Sequence, residues 1–150
     1  MSDAAQDRDA DKRVRESFGR QSIMTTIGAS VHSVRRGEVE IVLPFAGHIQ
    51  QQHGFIHAGA VATIADSACG YAALSVMPAD AAVLTTEFKI NLLSPAKGER
   101  MRAIGRVVRA GKKLVITMGE VFADEGGASK QVALITATMM VVETGTGLRN

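Results

Sequence analysis

Hydrophobic and polar positions change period along this chain, and each change marks a predicted element. Residues 1–10 (Met-Ser-Asp-Ala-Ala-Gln-Asp-Arg-Asp-Ala) are polar and of mixed charge, and read as a solvated, disordered lead-in. From Asp11 to about Thr26 the apolar positions Val14, Phe18, Ile23 and Met24 fit a short amphipathic helix that Gly28 can end. The period then drops to two. Ala29–Arg35 and Glu38–Leu43 read as strands joined at Arg36-Gly37, the second with Val39, Ile41 and Leu43 on one face. Pro44 closes that strand, and Phe45 to Ile56 is a loop. From His57 to Met77, before Pro78, Ala, Val, Ile, Leu and Met dominate without confinement to one stripe, which predicts a buried helix. Four more strands are predicted at Ala82–Leu93, Arg100–Arg109, Lys113–Ala123 and Lys130–Glu143, separated by Ser94-Pro95-Ala96-Lys97-Gly98, Ala110-Gly111-Lys112 and Asp124–Ala128. Their short connections predict an antiparallel meander.

The expected domain layout is a polar lead-in and short helix over residues 1–26, one domain over 27–143, and a frayed tail over Thr144–Asn150. A single long helix among six strands indicates an α+β fold, the helix lying on a curved antiparallel sheet. Two features argue against reading the helix as a membrane span. Asp66 sits in its middle, and many of its positions are Ala, Gly, Ser or Thr, small enough to let other backbone approach on several sides.

Composition narrows the function classes. Apolar residues make up 46% of the 150, charged residues 21% and aromatics 4%, with a net charge of +2. This is a globular composition, with no basic run or aromatic interleaving to suggest a nucleic-acid partner. The single cysteine, Cys69, excludes an internal disulfide and falls inside the helix as a small apolar thiol. The N-terminus lacks the apolar core of a signal peptide, so a cytoplasmic protein with no membrane partner is expected. His53 and His57 are four apart with Asp66 beyond them. However, Gly54 lies between them and no Glu follows His53, so no metal site and no cofactor are expected.

Asp66 is the anomaly. A carboxylate in an apolar helix is either satisfied structurally or retained for chemistry. The stretch around it, His53-Gly-Phe-Ile-His57-Ala-Gly-Ala followed by Asp66, together with Phe88-Lys-Ile-Asn91-Leu-Leu-Ser94-Pro95-Ala96, resembles the hotdog-fold acyl-CoA thioesterases of the PaaI-like type. The resemblance runs over roughly Ile27 to Val142. It implies a hotdog fold and hydrolysis of an acyl-CoA to free acid and CoA. In that family the helix carboxylate, here Asp66, is nucleophile or general base, and the helix N-terminus holds the oxyanion. By position the donor is the backbone N–H of Ala58, helped by Gly59. The family usually has Gly-Gly there, so Ala58 adds a methyl. Counting fifteen back from Asp66 gives Gln51, flanked by Gln50 and Gln52, as the group that orients carbonyl or water. Thr85 matches a Ser or Thr that bonds the acid or the water, and His57 matches the motif histidine, expected to position rather than to shuttle protons.

Ala58 and Asp66 are eight residues apart, or about 12 Å on one helix, whereas a reacting carbonyl needs attacker and oxyanion donors within roughly 3 Å. The expected site is therefore shared between two subunits of a homodimer, or of a dimer of dimers. Basic residues near a turn, Arg109 with Gly111, Lys112 and Lys113, are candidates for the CoA phosphates. Two other readings compete. Hotdog hydratases use an Asp and a His ahead of the helix, but no Asp occurs between Asp11 and Asp66. A non-catalytic acyl-CoA binding or sensor protein would use the same groove. The scarcity of aromatics hints at an aliphatic acyl group.

Overall fold

Alternation in the second predicted strand becomes the inner wall of the molecule: Val39, Ile41 and Leu43 are fully buried, while their neighbours face outward. The computed structural model describes residues 2–143, 145, 147 and 148. It comprises helices α1 (Asp3–Phe18), α2 (Ser22–Ile27) and α3 (Ala58–Leu74) and strands β1 (Ser30–Arg35), β2 (Glu38–Pro44), β3 (Ala82–Leu92), β4 (Arg100–Ala110), β5 (Leu114–Glu125) and β6 (Ala128–Val142). The strands form one antiparallel sheet in the order β1-β2-β4-β5-β6-β3, which packs against α3. The α+β expectation holds. The expected tail over Thr144–Asn150 rests on Thr144, Thr146, Arg149 and Asn150, which lie outside the described residues.

The strand order corrects the expected four-strand meander. Only β4, β5 and β6 form one; β3 pairs with β6 at the far edge. From β3 the chain must cross three strand spacings, about 14 Å, to reach β4. The connection, residues 93–99, can extend to roughly 23 Å, long enough to cross and too long for a tight hairpin. On the way Leu93 N–H bonds Val132 O, and Ala96 O accepts from Ile56 N–H, so the crossing is anchored over the start of α3.

Close approach of helix to sheet depends on two glycines. Gly105 of β4 and Gly119 of β5 face each other in register, with Ala68 and Cys69 of α3 pressed on them. A Cβ at Gly105 would lie 2.3 Å from the Ala68 carbonyl carbon. Cys69 is the buried thiol expected, pushed up by burial to about 12.

The helix is shorter than predicted, ending at Leu74. Ser75 Oγ donates to Ala72 O at 2.6 Å and accepts from Gly37 N–H at 2.7 Å. Arg13 of α1 takes the carbonyls of Leu74 and Met77, both at 3.1 Å, and that of Ala81 at 2.5 Å. A guanidinium on these carbonyls also sits at the negative end of the helix dipole.

That contact helps explain a second correction. The N-terminal helix begins at Asp3, not Asp11, and a second short helix follows it. Ala10 and Val14 are buried, and Asp7 Oδ1 accepts from Arg36 N–H at 2.9 Å. Docking against the β1–β2 turn and the end of α3 orders a stretch whose own composition is solvated.

Candidate active site

His57 is the N-cap of α3. Its Nδ1 accepts from the Gly59 N–H at 2.8 Å, so that nitrogen is unprotonated and the ring proton sits on Nε2. A Cβ at Gly59 would stand 3.0 Å from Nδ1, which accounts for glycine there. The Gly59 amide, which the sequence offered as a helper to the oxyanion donor, is here bonded to the cap. Ala58 N–H, by contrast, has no protein partner among the described residues and lies at the positive end of the helix dipole.

The loop before the helix is held by Ile56 N–H to Ala96 O and His57 N–H to Ile49 O, both 2.9 Å. Gln51 N–H bonds Phe55 O at 2.8 Å, and Gly54, at φ 83°, donates back to Gln51 O at 3.1 Å. The Gln51 side-chain oxygen accepts from His53 N–H, leaving its NH2 as a donor. Of the three consecutive glutamines, Gln51 lines the pocket of about 520 Å³ that also holds His57 and Ala58, with Phe55, Val61 and Leu92 among its apolar walls.

Asp66 lies in a different pocket, of about 300 Å³. It is half-buried, and Thr85 Oγ1 of β3 donates to its Oδ1 at 2.8 Å. Burial pushes the carboxyl above its ordinary value, and the Thr85 hydrogen bond partly offsets this. Oδ2 has no protein partner among the described residues.

One chain therefore brings together Asp66 with Thr85, and Gln51 with His57 and Ala58, but not the two groups with each other. Arg109, Gly111, Lys112 and Lys113 join neither. Arg109 lies near the end of β4 and the others in the β4–β5 turn, roughly 33 Å along β4 from the end nearest the helix N-terminus. Gly111 N–H closes that turn on Leu114 O at 2.9 Å, and Lys112 lines a hollow with Asp80 and Glu143. Among the described residues no three His, Cys, Asp or Glu side chains are placed to hold a metal ion, and no helix is long and apolar enough to cross a membrane.

The family model described as "Thioesterase superfamily" matches residues 53–130, which span the loop, α3, Asp66 and the strands facing it. The chain belongs to this superfamily. A solved thioesterase family protein from Silicibacter pomeroyi is 45% identical, with a TM-score of 0.88 over 89% of this chain and 98% of that one. The E. coli PaaI protein from the phenylacetic acid degradation operon is 19% identical at a TM-score of 0.82, covering 91% of this chain and 95% of its own, a likeness of fold alone. A chain from Halobacterium salinarum, provisionally named an esterase, is 31% identical over 94 residues; the match spans 59% of this chain and 62% of that relative. The fold is the hotdog fold, as the resemblance implied, and superfamily membership supports hydrolysis of a thioester in general.

Sequence reasoning missed one wall of the Asp66 pocket. Ser17, near the end of α1, and Arg20 and Gln21, from the α1–α2 connection, line it with Ser67 and Tyr71 of α3. Ser17 Oγ lies 3.3 Å from Tyr71 OH, and Ser67 Oγ donates to Gln21 Oε1 at 3.4 Å. The only local signal was a polar end to an amphipathic helix, which looks the same whether it faces water or a pocket.

Proposed function

We propose that this thioesterase-superfamily protein hydrolyses an acyl-CoA, consuming water and releasing free acid and the CoA thiol, at sites shared between two subunits. The observation that carries the reading is Asp66: a half-buried carboxylate on an apolar helix, steadied by Thr85 through one oxygen and with the other unengaged. In the ionised form it attacks the thioester carbon or takes a proton from the water that does. The second subunit contributes the Ala58 amide to the oxyanion and the Gln51 NH2 to the acyl carbonyl or the water, while its His57 holds the helix start in place.

The open edge of β3 supports the dimer. Among the described residues no strand lies beyond β3, so a second copy of the strand can pair there. Phe88 and Leu92 pair with buried β6 residues on the inner face, yet they stay 44% and 54% exposed. A partner packed there would cover them and bring its own helix N-terminus toward Asp66.

Mixing an Asp66→Ala chain with a Gln51→Ala chain tests the arrangement. Each homodimer lacks one part in both sites, whereas a mixed dimer has one intact site and one lacking both parts. Activity per mixed dimer should return to about half that of the wild type. No recovery, with mixed dimers demonstrated by mass, would show that each chain builds its own site.

A further inference from the structure

The pocket beside Asp66 has more polar equipment than hydrolysis requires. Its length runs along α3 from Asp66 past Gly70 to Tyr71, roughly 7.5 Å at the helical rise. Val83 and Thr85 form one side, and the end of α1 with the α1–α2 connection the other. Apart from Val83 and Gly70, every group past the Asp66–Thr85 pair can hydrogen-bond: Ser17, Arg20, Gln21, Ser67 and Tyr71. Tyr71 and Ser17 share one hydrogen bond, as do Ser67 and Gln21, which leaves spare donors.

Arg20, like Arg8, Arg35, Arg36 and Arg109, is in no ion pair among the described residues, and of these it is the one that lines the Asp66 pocket. Arg15, Arg100, Arg102 and Arg106 are each paired with a carboxylate, and Arg13 is spent on carbonyls. Arg20 is tied into the fold by its backbone N–H on Ser17 O, at 3.0 Å, while its guanidinium has no ion-pair partner among the described residues. A guanidinium fork at the end of a short polar pocket fits a carboxylate, which accepts two of its N–H groups side by side. An alkyl end there would leave the same groups without partners.

Building on the thioesterase reading, we propose that the pocket takes a short acyl group ending in a carboxylate, of succinyl to adipyl size. Arg20 binds that end and selects the substrate, with Gln21 and the Ser17–Tyr71 hydroxyls as neutral partners. The group remains aliphatic, as the scarcity of aromatics suggested, with a charged end added.

The test compares kcat/KM of the full-length protein on succinyl-, glutaryl-, butyryl-, hexanoyl- and 4-hydroxybenzoyl-CoA, with Arg20→Gln alongside. Glutaryl- or succinyl-CoA should be preferred over the neutral substrates. The ratio of glutaryl to hexanoyl kcat/KM should fall about tenfold or more in Arg20→Gln, the scale of a lost charge-assisted hydrogen bond, and mostly through KM. A preference for neutral acyl groups, or an equal loss on both substrates, overturns the assignment of the pocket while an Asp66-dependent rate keeps the thioesterase reading. No release of CoA from any substrate by the folded protein overturns both.

Discussion

Asp66→Ala is expected to lower kcat/KM on the best acyl-CoA by roughly a hundredfold or more, the scale of a lost acid–base or nucleophilic group, with the fold intact. Release of free CoA from a panel of acyl-CoAs measures it. The acid side of the pH profile adds a second check. On the proposed mechanism Asp66 works ionised, and burial raises its carboxyl above the ordinary value. The rate should therefore climb with pH through a limb above the usual carboxylate range, and Asp66→Asn should lack that limb. Stability should move the opposite way. A carboxyl that holds its proton more tightly folded than unfolded costs the fold stability once pH rises through the folded value. At neutral pH Asp66→Asn removes that cost and leaves an oxygen for Thr85 to donate to, so Tm should rise while activity falls. A purely structural Asp66 would give a lower Tm and a modest loss of rate. Binding of acyl-CoA without turnover in the wild type would instead mark a sensor.

Gly105→Ala should be the most damaging small substitution for the fold. A methyl there meets helix backbone, with Ala68 C and O and Cys69 N at 2.3–2.5 Å, so no side chain can swing away and α3 or β4 must move. Overpacking of this kind costs about 3 kcal/mol. In a chain of this size that lowers Tm by about 6–12 °C. Gly70→Ala on the same helix is the control. Its Cβ would meet only Met139 Sδ at 4.0 Å, and alanine is the better helix former by up to ~1 kcal/mol, so Tm should hold or rise. Thermal melts of both variants decide it: equal losses would mean that helix-to-sheet spacing is not what Gly105 sets.

Much of the fold was legible because burial leaves a local record. A strand with one wet face must alternate, so β2 ran within a residue of its expected bounds, and an all-round apolar helix had to be buried. The carboxylate in that helix was visible for the same reason, as a local contradiction. Partners at long sequence separation leave no such record. That β3 joins β6 rather than β4 depends on how far residues 93–99 can reach and on what already occupies the other strand edges. Where the helix ends, Arg13 from about sixty positions away takes the carbonyls of Leu74 and of Met77 just beyond it. The Gly59 amide was spent on His57 Nδ1, a matter of one side-chain rotamer. The wall of Ser17, Arg20 and Gln21 came from the polar side of a predicted amphipathic helix, which looks the same whether it faces water or a pocket. Sequence alone thus determined the six strands, the existence of the central helix, the buried faces and Asp66, all set by a residue's own polarity against its neighbours' period. Tertiary structure decided which edge stays open, which amide stays unpaired and what lines the pocket, because each depends on groups brought together only when the chain closes on itself.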